Sequence, residues 1–298
     1  RLSVAGDACV SGVITAANFA KADGSSLGGF EPDSQENLYA GTTAGNASDA
    51  DTCFNIALGY KAGYTNCAGD NNVILGCCAA YCLQSGNENI AIGDAAGKRL
   101  TTGVSNINIG KFAGEKNTTG SCNIFIGRYI ASQTTHTGNQ NVFIGRGASE
   151  WNTSGSCNVS IGCGANRKNS TGDFNIALGA FAMRDGVTTG DNNIAFGKCS
   201  GINISSGEDN VFIGCLAGST ATTTGKSIAI GKGAFSSGTG IDVVALGQYA
   251  GQNTAVHNSV YIGVYAGRCR CAYSEIAIGC HALQGSSTVS SNCGAHNV

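Results

Sequence analysis

The stretch Asn89-Ile90-Ala91-Ile92-Gly93-Asp94-Ala95-Ala96-Gly97 is followed 17 residues on by Asn106-Ile107-Asn108-Ile109-Gly110-Lys111-Phe112-Ala113-Gly114. The same phrase returns along nearly the whole chain. Its anchor glycines fall at Gly41, Gly59, Gly76, Gly93, Gly110, Gly127, Gly145, Gly162, Gly179, Gly197, Gly214, Gly231, Gly247, Gly263 and Gly279, spaced 16 to 18 residues apart. A period that regular predicts one coil of backbone stacked about fifteen times, an all-β parallel β-roll or β-solenoid rather than a globular enzyme.

The residue three before each anchor is always aliphatic, from Leu38 to Ile276. The residue one before is Ile, Leu or Phe everywhere except Ala40. Positions two apart share a strand face. These two columns are therefore expected to point into the core of a short β-strand that the glycine ends. Three after the anchor, Ala dominates, with Ile130 and Ser200 as exceptions. That column is expected on a second strand, packed across a thin core. Further glycines at regular offsets mark sharp corners, because glycine enters positive φ freely.

Four before the anchor is Asn in the first eleven coils, Asn37 to Asn210, followed by Ser227, Val243, Ser259 and Glu275. In-register stacking at about 4.8 Å allows these amides to form a ladder. The alternative is that each Asn starts its strand by bonding its own backbone.

Two before the anchor stand Tyr39, Ile74, Phe125, Phe143, Ala177, Ala195, Phe212 and Tyr261 among others, and no coil has a charge there. A solvated sheet face would carry charged residues. On the reading above this is the face opposite the core, so these residues are expected to line an interface between identical chains.

The chain has 298 residues, 46 Gly, one Pro, 12% charged residues and a net charge of −2. The charge gives no case for nucleic acid, and no apolar run is long enough for a membrane span. The 15 Cys scatter over the coil and are expected to be reduced, small apolar residues. A loop pairing of Cys269 or Cys271 with Cys280 stays open. Residues 1–36 precede the repeats and read as a β-rich joining segment. Residues 37–298 read as the β-roll domain, and Asn297-Val298 as the opening of a further repeat, so an internal fragment is expected.

Phrases such as Asn89-Ile90-Ala91-Ile92-Gly93 and Ser259-Val260-Tyr261-Ile262-Gly263 resemble the head repeats of trimeric autotransporter adhesins. The longer coil, with Thr101-Thr102-Gly103 turns and frequent Cys, is more similar to repeats in bacteriophage tail fibres, including those of cyanophages. Residues Leu2 to Phe30 also resemble a segment common in such fibres. The resemblance implies a left-handed roll, a homotrimer and association with other fibre or baseplate proteins. It further implies attachment to a host surface glycan or protein and a place in the virion tail. A cell-anchored bacterial adhesin and an extracellular structural filament are the alternatives.

No catalytic constellation is visible, and the chain is read as a non-enzyme. Two charged columns are candidate sites. Lys111, Arg128 and Arg146 follow the anchor in three successive coils, a basic row for a glycan or polyanion. Asp173, Asp191 and Glu208 sit six before it in three successive coils, a row that would suit Ca²⁺ or Mg²⁺. No other cofactor is expected.

Overall fold

A computed structural model describes residues 32–270 and 273–285. The joining segment before residue 32, Cys271 and the end of the chain lie outside them. Fifteen short strands, β1 (Leu38–Ala40) to β15 (Ile276–Ile278), form one parallel sheet in strict chain order. No helix occurs among the described residues. The chain is a parallel β-solenoid, as the period predicts. At about 4.8 Å per step, its fourteen strand-to-strand steps span roughly 65 Å.

Register is kept throughout: Tyr39 pairs with Ala57, Phe125 with Phe143, and Tyr261 with Ala277. Each column of the sequence is thus a column in space. Four positions per coil have positive φ, one of them four past the anchor, with Gly97 at φ 57° and Ala131 at 44°. Five before the anchor, residues such as Glu88 and Ser105 sit at φ 59° and 55°. The anchor itself is extreme, with Gly93 at φ 130°. Two after it, residues such as Phe112 and Tyr129 sit at φ 58° and 61°. That last corner overturns the expected second strand. The chain turns there, and the Ala column lies on a stack of turns. The turns still bond coil to coil, for example Gly97 N–H to the Ala113 carbonyl at 2.8 Å.

The structure also reverses the expected inside and outside. Ile74, Phe125, Phe143, Ala177, Ala195, Phe212 and Tyr261 are at most 1% exposed within a single chain. Tyr39, in the first coil, is packed against the same interior. They share the interior with the Ala column, Ala62 to Ala266. Apart from Tyr39, which is only half-buried at the end of the stack, they have no surface left to offer a neighbour, so the expected interface role for this column is corrected. A three-residue strand in a narrow coil sends only its middle side chain inward. The flanking Ile, Val and Leu columns face outward, with Ile126 37%, Ile194 37% and Ile230 40% exposed.

Of the two readings of the Asn column, the structure shows the ladder. Asn55 through Asn210 are fully buried. The Asn141 Oδ1 accepts the Asn158 main-chain N–H at 2.9 Å and its amide at 3.2 Å. The Asn141 amide in turn donates to Asn123 Oδ1 at 3.0 Å and to the Gly155 carbonyl at 3.0 Å. Past Asn210, serine hydroxyls replace part of the ladder. Ser227 Oγ accepts the Val243 N–H, and Ser259 Oγ the Glu275 N–H. Glu275 is buried, and its carboxylate meets Arg270 and the Tyr261 hydroxyl. Burial, reinforced by that carboxylate, raises the Tyr261 pKa.

His136 is buried edge-on against Phe125 (centroids 5.4 Å apart) and Phe143 (6.3 Å). Burial lowers its pKa to about 4. The folded pKa lies below the unfolded value of about 6.5. Its contribution is therefore fully present above pH ~6.5 and is lost as pH falls toward 4. A gap of that size corresponds to roughly 3 kcal/mol. Wild-type protein melted at pH 7.5 and 4.5 is expected to lose more stability than His136→Phe melted at the same two pH values. Equal losses would remove His136 as the cause.

Candidate functional site

The edge of the coil beside the anchor glycine carries the exposed chemistry. One residue past the glycine points to solvent, and two past it the left-handed corner sets a side chain along the stack axis. Where that side chain is aromatic, rings pile up. Phe112 and Tyr129 stack at 5.4 Å, and Tyr249 and Tyr265 at 5.4 Å. Offset stacking at this spacing is favourable beyond the area it buries.

The basic row meets this aromatic row. Lys111 pairs with Asp94 at 2.8 Å and lies 4.9 Å over the Phe112 ring. Arg128 lies 4.5 Å over Tyr129 and donates to its hydroxyl at 2.9 Å. These two cations are already engaged. Arg146 differs, because the residue after it is Gly147 and supplies no ring. The next coil has Gly164 at the same place, and the rings resume only at Phe181.

The missing rings leave a cleft of ≈ 340 Å³ between Tyr129 and Phe181, floored by Gly147 and Gly164. Arg146, Glu150, Arg167 and Arg184 also line it. Glu150 is buried and accepts from Arg167 Nε at 2.6 Å and from the Gln133 amide at 3.2 Å. Arg184 lies 4.4 Å over the Phe181 ring and donates two hydrogen bonds to the Asp185 carboxylate, each 2.8 Å. That contact holds the Asp185 carboxyl below its usual pKa. Arg146 is exposed and makes no ion pair among the described residues. A second hollow of ≈ 320 Å³ is lined by Trp151, Lys168 and Val187. Trp151 and Lys168 follow Glu150 and Arg167 directly in the chain.

The acidic row has a structural use that sequence reasoning missed. Asp173 Oδ1 accepts the Ser156 N–H at 2.7 Å, and Asp191 Oδ1 accepts the Asp173 N–H at 2.7 Å. The same column does this elsewhere: Asp70 caps Cys53, Asn139 caps Ser121, and Ser156 caps Asn139. It is a second hydrogen-bond ladder in which Asp, Asn and Ser are interchangeable acceptors. That mixture in one column was the signal that could have revealed it. Glu208, one methylene longer, instead borders a shallow hollow with Lys226. No group of three or more His, Cys, Asp or Glu placed to hold a metal occurs among the described residues, so the three acids are not brought together as a metal cluster. No helix among the described residues is long and apolar enough to cross a membrane. No family profile matches this sequence, and no characterised protein is significantly similar to it.

Proposed function

We propose that the chain is the non-catalytic shaft of a trimeric fibre, of the kind that joins a viral tail to a host cell surface. The observation that carries this reading is the outward aliphatic face. Two columns of Ile, Val and Leu run the length of a rod, about 7 Å apart, a strip of roughly 500 Å². A strip of that size is toward the upper end of the largest apolar patch on a typical monomer, and such patches are often interaction sites. A partner that matches it at every level of a 15-strand rod is another copy in the same register. Three parallel chains around one axis would bring identical side chains together at each level and close the assembly. The dry, repetitive interior and the two polar ladders serve stiffness rather than chemistry. Association with other fibre or baseplate proteins at the ends follows from the same reading, as does placement in a virion tail.

The test is an outward substitution. Ile126→Glu with Ile144→Glu puts two carboxylates per chain on that strip and leaves the interior untouched. Wild-type protein is expected to sediment as a trimer. The double variant is expected to sediment as a monomer with an unchanged β-sheet circular dichroism spectrum, because carboxylates from three chains cannot be buried together unpaired. A monomeric wild type, or a trimer that tolerates both carboxylates, would overturn the reading.

A further inference from the structure

We propose that the cleft between Tyr129 and Phe181 binds an acidic saccharide, with its sugar rings between the two aromatic rings and its acid group on Arg146. The proposal rests on the surface-attachment part of the reading above and gives that attachment a site and a ligand class.

The geometry comes from an interrupted stack. Every coil places one residue at the left-handed corner, and rings occupy that corner at Phe112, Tyr129 and Phe181. Gly147 and Gly164 vacate the two successive places in between. Tyr129 and Phe181 are three coil steps apart, about 14 Å. The rings of this column stack 5.4 Å apart elsewhere, and the Phe181 ring and Arg184 lean over Gly164, where a Cβ would meet them at 3.2 and 3.5 Å. The open part of the gap lies above Gly147 and admits about one to two rings. The apolar faces of pyranose rings suit such walls.

The charges select an acid of low density. Arg167 is matched by Glu150, and Arg184 by Asp185. Arg146 is the cation left over, and it stands at the rim. One surplus positive charge suits one carboxylate or sulfate group, not a polyphosphate, which the Glu150 carboxylate would repel. Glu150 is fixed by Arg167 and Gln133, and as a carboxylate it offers an acceptor for sugar hydroxyls.

A plug provides the sharpest variant. Phe112, Tyr129 and Phe181 already hold aromatic side chains at this same corner with φ between 58° and 62°. Gly147 has φ 65°, and a Cβ there would have nothing nearer than the Glu150 Oε2 at 3.6 Å. Gly147→Tyr should therefore fold and fill the cleft with a ring stacked on Tyr129. Arg146→Ala removes the surplus cation from an exposed position.

The experiment is calorimetric titration of the purified full chain with hexagalacturonate (carboxylates only), with a κ-carrageenan hexasaccharide (sulfates only, one per disaccharide) and with neutral maltohexaose, all at physiological ionic strength (about 0.15 M). At least one acidic hexasaccharide is expected to bind, and the arm that binds tells carboxylate from sulfate. Arg146→Ala should weaken that binding at least tenfold, and Gly147→Tyr should abolish it. Maltohexaose should not bind detectably. No binding by either acid, equal binding by maltohexaose, or binding unchanged in both variants would overturn the proposal. Sedimentation of the same samples reports the oligomer separately, so loss of the site leaves the shaft reading intact.

Discussion

Gly93→Ala is expected to lower the thermal midpoint by roughly 10–20 °C, while Gly225→Ala leaves it nearly unchanged. At Gly93 the backbone has φ 130°, which no L side chain adopts comfortably. A Cβ there would also lie 2.8 Å from the Gly110 carbonyl carbon and oxygen in the next coil. Neither atom is the end of a flexible side chain. The methyl group can be accommodated only by prising two coils apart, which would break bonds such as Gly110 N–H to the Ile92 carbonyl at 2.8 Å. Backbone strain of about 1–3 kcal/mol adds to an overpacking cost of about 1–3 kcal/mol. A total of ~2–6 kcal/mol, about 4 at mid-range, gives a shift of that order for a domain of this size. Gly225 is the counterexample. A Cβ there would meet only the Glu208 carbonyl, at 3.4 Å, and its φ is not left-handed. Scanning calorimetry on the two variants checks both statements. Equal midpoints would mean that the anchor column is not held by steric closeness between coils.

The period, the strand and the glycine corners were legible because each is a local property. An aliphatic pair flanking one residue and ended by glycine has few other solutions. The inside and outside were not legible from those columns. A uniform Ile column and a mixed, uncharged column are both dry, and dryness alone does not say which face is the core. The deciding clue lay in a correlation across the coil. Gly218 lies against the Phe212 ring, Gly251 against Tyr261 and Gly63 against Ile74. These glycines sit four past the anchor, where the interior side chain of the strand needs room. Pairing of that glycine with the residue two before the anchor marks the latter as inward.

The left-handed corner two past the anchor had no signature at all. Lys61, Cys78, Ala95, Phe112 and Leu216 all adopt it, although none is a residue type that favours it. Coil-to-coil bonding imposes the conformation, and that bonding is not local. The cleft is hidden for the same reason. The basic row Lys111, Arg128 and Arg146 is visible as a row. Only the geometry of the corner shows that the first two cations rest on rings and the third faces a gap. The acids Asp173 and Asp191 were conspicuous for their charge, yet their use is that of the Ser and Asn around them: an oxygen at the right height.

The ladder of buried amides carries the last expected result: Asn141→Leu should cost about 3 kcal/mol, and Asn141→Ser about half as much. Leu nearly matches Asn in shape, so the change isolates the hydrogen bonds. With Leu, the Asn158 main-chain N–H loses its acceptor, and one hydrogen of the Asn158 amide loses it too. Both groups are buried, and each such orphan costs about 1–3 kcal/mol. The Gly155 carbonyl is less affected, because Asn152 also donates to it, at 3.3 Å. Asn123 Oδ1 keeps the main-chain N–H of residue 141. Damage therefore runs toward the C-terminal side of the substitution. Ser restores an acceptor of the kind the chain itself uses at Ser227, where Oγ takes the Val243 N–H at 3.3 Å. A ladder in which each oxygen serves the next coil couples neighbours in one dimension. Hydrogen exchange should then show the Leu variant opening first at Asn158 and the coil that follows it, with coils before Asn123 still protected. Uniform loss of protection along the rod would mean that the ladder does not transmit stability coil by coil.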